Sequence, residues 1–267
     1  MSSLFESLVE NNMTLLAPEA DDATAMILSA ADIHAQGEGS VEARFSLNLN
    51  DQQVNLEEVQ GLLEYPRIRK VRELKLDRNE FGDSGVELLA ASENLSSLVI
   101  LALGFNRLTE RGMVALAQST TLRSLKKLFY HNNRMGPAGA QALADSENLA
   151  GLETLYLKGN PIAPEGAMAL AKSSSFKNLR ELYLDRTNLD LDGLSALCEG
   201  DLFSGITLLS LGHNGLTDLA AKTLAACPAL SHVVSLDLCG NRMSEGAIEE
   251  LRASPHLPKL RALQVDW

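Results

Sequence analysis

Three aromatic residues, Phe129, Tyr156 and Tyr183, stand 27 residues apart. Two positions beyond each, at the same interval, stand His131, Lys158 and Asp185, and the next position along carries Arg186. Phe105, Lys75 and Arg78 fall into the same columns in earlier repeats of that interval. Aromatic residues make up only 4% of the chain, so their gathering here is a signal. Tyr and Arg dominate the energetics of protein–protein contacts. Phe105, Phe129, Tyr156 and Tyr183, with His131, Lys158, Asp185, Arg186, Lys75 and Arg78, are therefore the candidate protein-binding residues. Aromatics are also good strand residues that ladder for sheet stability, which is the plainer reading of the same column.

Other chemistry is poorly served. The chain has no GxxxxGK[ST], GxGxxG or GxSxG segment. His131 and His213 are three repeats apart, about 14 Å at ordinary strand spacing, too far to share a zinc ion with ligands at about 2 Å. Cys239 has no evident neighbouring base. Asp77–Arg78 and Asp185–Arg186 read as ion-pairing surface residues, and no carboxylate stands in the isolated apolar setting that raises a pKa. No catalytic residue, metal or cofactor is expected, and the chain is not read as an enzyme.

The elements that position these residues come from one repeating unit. The first leucine of a hexad with the consensus LxLxxN falls at Leu47, Leu74, Leu101, Leu128, Leu155, Leu182, Leu209, Leu236 and Leu263, always at a 27-residue step. A fixed period in the 20–50 range marks a solenoid. Leucines at the first and third positions give a strand of period two, with the leucines inward and the residues between them outward. The sixth position holds Asn79, Asn106, Asn133, Asn160, Asn214 and Asn241, a ladder of amides whose donors and acceptor brace the turn out of the sheet. Gln52 and Thr187 break the ladder, and a Thr hydroxyl cannot replace a whole amide, so a looser turn is expected at that rung. A helix follows each turn. Thr109, Asp190, Thr217 and Ser244 are good N-caps, and Pro137 and Pro164 suit a first helical turn. Leu89, Leu116, Leu143, Leu170, Leu197, Leu224 and Leu251 form a core column beside one of small residues, in which Cys198 takes an alanine's place and reads as core filler.

Residues 1–40 do not fit the period. The apolar spacing of SLFESLVENNMTLL predicts a helix ended by Pro18, and ATAMILSAADIHA predicts a second, ended by Gly37 and Gly39. A solenoid needs an atypical end unit, so 1–40 is read as a helical N-terminal cap and 41–267 as the repeats, about eight to nine rungs ending in an open strand.

The recurring LxxLxLxxN pattern, spread over about 85% of the chain, resembles the leucine-rich repeat family, and within it the helix-containing, ribonuclease-inhibitor-like branch. The resemblance implies an α/β fold: a right-handed horseshoe solenoid with a parallel β-sheet on the concave face and α-helices on the convex face. Spacing agrees, since strands stack about 4.8 Å apart whereas helices are about 10 Å across. It also implies a non-enzymatic recognition module that binds another protein on the concave face as scaffold, adaptor or inhibitor. The alternative is a small-GTPase regulator like the Ran GTPase-activating branch, for which Arg107, Arg134 and Arg242 are the arginines available to reach a nucleotide.

Net charge is −12, and residues 1–60 hold eleven acids against one base, Arg44. Phosphate backbones and anionic membranes need clustered Lys and Arg, so nucleic acid and membrane are not expected partners. No run of about 18 apolar residues is present, and MSSLFESLVENN does not read as a secretory signal. Three cysteines without paired spacing fit a reducing compartment, so the location is read as cytoplasmic, with delivery into a host cell if the source is a pathogen. A monomer is expected, with a dimer through the C-terminal edge strand as the alternative.

Overall fold

The computed structural model describes residues 3–16 and 44–266. It opens with helix α1 (Ser3–Asn11) and strand β1 (Met13–Leu15). The repeats follow as β2 (Phe45–Asn48), α2 (Leu56–Glu64), β3 (Val71–Lys75), α3 (Gly82–Ala91), β4 (Ile100–Ala102), α4 (Glu110–Gln118), β5 (Lys127–Phe129) and α5 (Pro137–Ala144). They continue as β6 (Thr154–Tyr156), α6 (Ala163–Ala171), β7 (Glu181–Tyr183), α7 (Leu191–Glu199), β8 (Leu208–Ser210), α8 (Asp218–Ala225), β9 (Ser235–Asp237), α9 (Glu245–Arg252) and β10 (Ala262–Gln264). All ten strands form one sheet in sequence order. Strands β2 to β10 run parallel, and β1 pairs antiparallel with β2. The chain is an α/β leucine-rich repeat solenoid, with sheet on one side and helices on the other.

One expectation changes at the N-terminus. The helix read through to Leu16 stops at Asn11, and Met13–Leu15 lie against Leu47–Phe45 as an edge strand. The apolar spacing of Leu4, Phe5, Leu8 and Val9 is helical, but Met13 and Leu15 alternate with Thr14 and suit a strand. Phe5 and Val9 are buried in the same core as the repeat leucines. The second helix and the rest of the cap read at 1–40 lie outside the described residues, as does Trp267. No helix among the described residues is long and apolar enough to cross a membrane.

From β4 onward the first hexad leucine is the middle residue of each strand, and from Leu74 to Leu236 every such leucine is fully buried. Helix starts are secured locally and across rungs. Thr109, Asp190 and Ser244 cap their own helices with side-chain oxygens, as does Asn55 in a reciprocal pair with Glu58. Thr217 stands at an N-cap without a side-chain bond. Instead Asp83 accepts from Thr109 of the next rung (2.9 Å from the backbone N–H, 2.6 Å from the hydroxyl), and Asp218 does the same for Ser244 at 2.6 and 2.8 Å.

The amides tie rung to rung. Asn133 Nδ2 donates to the carbonyl of Leu103 in the preceding rung (2.9 Å) and to that of Tyr130 in its own (3.1 Å). Its Oδ1 accepts from the N–H groups of Asn106 (2.9 Å) and Leu108 (3.1 Å). Asn79, Asn160, Asn214 and Asn241 repeat the pattern of one carbonyl behind and one at home. Because each amide serves the turn behind it, the looseness expected from Thr187 falls one rung earlier. The Thr187 hydroxyl reaches its own rung's Leu184 carbonyl (2.7 Å) and the Asn214 amide oxygen of the next rung (3.3 Å), and nothing in the rung behind. The N–H groups of Asn160 and Ile162 turn to Leu157 and Asn160 carbonyls at 3.3 and 2.8 Å, and Ala163 adopts φ 58°.

Asn133→Ala strips two buried carbonyls and two N–H groups of partners, and should cost about 3 kcal/mol or more of unfolding free energy. Thr187→Asn should add about 1 kcal/mol by supplying the missing bonds to the rung behind. Urea denaturation midpoints of the two variants, moving in opposite directions, check the assignment.

Candidate functional site

Parallel register carries each outward column straight across the sheet. Ala102 lies opposite Phe129, Phe129 opposite Tyr156, and Tyr156 opposite Tyr183. The rings join into one chain. Tyr156 packs on Tyr183 at 4.4 Å between centroids and on Phe129 at 5.9 Å. Its other neighbour is His131, edge-on at 5.3 Å, and His131 in turn meets Phe105 edge-on at 5.3 Å. The guanidinium of Arg78 lies 4.3 Å from the Phe105 ring centre. Tilted and edge-to-face pairs suit the ring quadrupoles, each worth about 0.5–1.5 kcal/mol, and an exposed cation over a ring adds about 0.5–1 kcal/mol.

Past the strands the rungs stay hydrogen-bonded while the backbone turns left-handed. Phe105 and Arg186, with φ 57° and 51°, donate their N–H groups to the carbonyls of His131 and Gly212, both at 3.0 Å. Arg78 and His213 are held the same way, with φ 58° and 55°. Such a conformation costs a non-glycine residue about 1–2 kcal/mol, which the cross-rung bonds offset. It takes Phe105 off the sheet, where 39% of its surface is exposed. Gly104 is required for a different reason: a Cβ there would collide with the His131 ring, which lies across it from the next rung.

Charges are arranged around this ring chain. Asp185, only 5% exposed, is reached by Lys158 at 4.0 Å, and Lys75 pairs with Glu73 at 3.6 Å. Arg186 is exposed. Asp77 accepts from the Gly104 N–H at 2.6 Å, and burial raises its carboxyl above the usual range. Burial, then Asp185, raises the Tyr156 phenol; burial, then Glu181, raises that of Tyr183, so both are hydrogen-bond donors at neutral pH. The thiol of Cys239 is pushed up to about 12, by desolvation first and then by Asp237 and Asp266, and stays protonated. His131 is the reverse case. Burial lowers its pKa, Asp77 opposes that, and Arg78 and Lys158 reinforce it; its Nδ1 has no hydrogen-bond partner.

One outward column escaped the sequence reading. Glu73, Ile100, Lys127, Thr154, Glu181 and Leu208 stand opposite one another just before the central leucines. The hexad starts at the strand's midpoint, so counting from its first leucine hides the residue before it. Carrying the period of two one step backward would have found the column. Ile100 and Leu208 are half-buried apolar residues on this face, and Thr154 donates to Glu181 at 3.1 Å.

A sheet of near-identical strands, backed by one helix per rung and differing mainly in its outward residues, defines a repeat solenoid of the protein-interaction class. The model of the family described as Leucine Rich repeat matches residues 68–90, 94–117 and 152–171. Three of the chain's repeats match that family's model, and the fold is that of a leucine-rich repeat solenoid. No curated protein matches its sequence. Among solved structures, a structural-genomics target from Bacteroides fragilis is 16% identical, with a TM-score of 0.49, over 89% of this chain and 77% of that one.

His131 makes the face sensitive to pH, with a definite sign. Its pKa in the folded chain lies below the unfolded value of about 6.5, so the unfolded state binds more protons in that window. The contribution is intact above about pH 6.5 and is lost as pH falls through the folded pKa. Asp77, raised, has the opposite sign but acts near the carboxylate range. Stability measured between pH 7 and 5 should fall less steeply in His131→Gln than in the unsubstituted chain, by less than the about 1.4 kcal/mol per pH unit that one proton allows.

Proposed function

We propose that the concave face of this leucine-rich repeat protein holds a partner protein, anchored by Phe105, Phe129, Tyr156 and Tyr183. Lys75, Arg78, Lys158, Asp185 and Arg186 form the charged surround. The role is that of a non-catalytic scaffold, adaptor or inhibitor, and the helix in every rung supports a place in the ribonuclease-inhibitor-like branch.

The observation that carries this reading is the ring chain from Phe105 through His131 and Tyr156 to Tyr183 on the open side of the sheet. Laddering for sheet stability accounts for Phe129, Tyr156 and Tyr183, which sit in strands, but not for Phe105. That residue is outside any strand and left-handed, and keeps 39% of its surface exposed. Rigid aromatic anchors surrounded by charged residues match the anatomy of interface hot spots. A GTPase regulator would need a rim arginine that reaches a nucleotide; of Arg107, Arg134 and Arg242, Arg107 makes an exposed ion pair with Glu80 of the preceding rung at 3.7 Å.

Affinity capture from native lysate, followed by titration of the purified partner, tests the proposal. Tyr156→Ala/Tyr183→Ala should weaken binding about 100-fold, the scale of two hot-spot truncations. Lys172→Glu, on the helix side, should leave it unchanged. Equal affinity of the double variant and the unsubstituted chain removes the aromatic face as the binding surface.

A further inference from the structure

Behind the sheet, a second column ties each rung to the one before. Ser119, Ser146 and Ser173 donate their hydroxyls to the carbonyls of Ala90, Ala117 and Ala144 at 2.6, 2.7 and 2.7 Å. Ser254 does the same to Ala225. Every such pair is 29 residues apart and joins the residue just beyond one helix to the last turn of the preceding one.

At one step both members change. Cys227 takes the serine's place and Cys198 the alanine's. The geometry is kept: Cys227 Sγ points at the Cys198 carbonyl, 3.7 Å away. Because the alanine position now carries sulfur as well, two thiols meet across the rung boundary, and each perturbs the other's ionisation. Cys198, at the end of α7, is half-buried and within reach of a small oxidant, while Cys227 is 1% exposed behind it.

We propose that Cys198 and Cys227 form a reversible disulfide that staples α7 to the next rung. The two thiols share a hydrogen bond, so the first proton lost belongs to the pair, and Cys198 is the member that a small disulfide can reach. The oxidant is a low-molecular-weight disulfide. The Cys198 sulfur attacks it, the small molecule's S–S bond breaks, and one small thiol leaves with the Cys198 proton. Cys227 then attacks the Cys198 sulfur and displaces the second small thiol, which carries off the Cys227 proton. Two protein thiols are oxidised and one small disulfide is reduced to two thiols. Cys239, on the opposite face, takes no part.

The native full-length chain is incubated with oxidised glutathione, alkylated, digested without reductant and mapped by mass. The expected product is a peptide pair linked through Cys198 and Cys227 that dithiothreitol separates. Cys227→Ser restores the serine used in the other rungs, so the fold is kept, and its oxidation should stop at one glutathione on Cys198. Cys198→Ala, restoring the alanine, should leave Cys227 unmodified. Three results overturn the proposal: both thiols alkylated after oxidation, glutathione persisting on Cys198 of the unsubstituted chain, or either cysteine linked to Cys239.

Discussion

A strand that turns into a helix leaves backbone groups without partners, and burying them unpaired costs about 1–3 kcal/mol each. Among the described residues the turns meet that demand largely across rungs. The amide of Asn133 reaches back to the Leu103 carbonyl and to the N–H groups of Asn106 and Leu108, and the same reach recurs along the sheet. Each rung is thus completed by the one after it. Stability is shared between neighbours, as expected of a one-dimensional stack. Thr187 shows the dependence from the other side: its shorter side chain leaves its own rung intact and alters the turn at Asn160–Ala163 behind it.

A stack held this rigidly turns sequence columns into spatial ones. Phe129, Tyr156 and Tyr183 touch because their strands are in register without a slip, and that register also aligns the buried leucines. The left-handed residue beyond each outward position carries Phe105 and Arg186 clear of the sheet, and His131 crosses over Gly104 to join Phe105 to the tyrosines. The aromatic face is built from differences between rungs on a frame that is otherwise the same.

Much of this was legible before any coordinates. The 27-residue step and the LxLxxN hexad place the strands, the core leucines, the turn amides and most helix caps, because each depends on local periodicity or on residue chemistry at one position. The aromatic column was legible for the same reason. The column at Glu73, Ile100, Lys127 and Thr154 was not, because the conspicuous leucine marks a strand's middle and not its start. Residues 13–15 were misjudged as helix because a few apolar residues fit either period, and pairing with Phe45–Leu47 decides between them.

Repetition in the chain therefore determined the fold class, the inward and outward assignment, and the columns in which the rungs differ. Tertiary structure decided how those positions meet. That His131 links two sets of rings, that Asp185 is buried beside Lys158, and that Cys198 faces Cys227 all depend on contacts between residues 25 to 29 apart, on adjacent rungs. A period states that two columns exist. Whether a side chain in one reaches across to the other depends on backbone direction and on the size of its neighbours, and those are set only when the rungs stack.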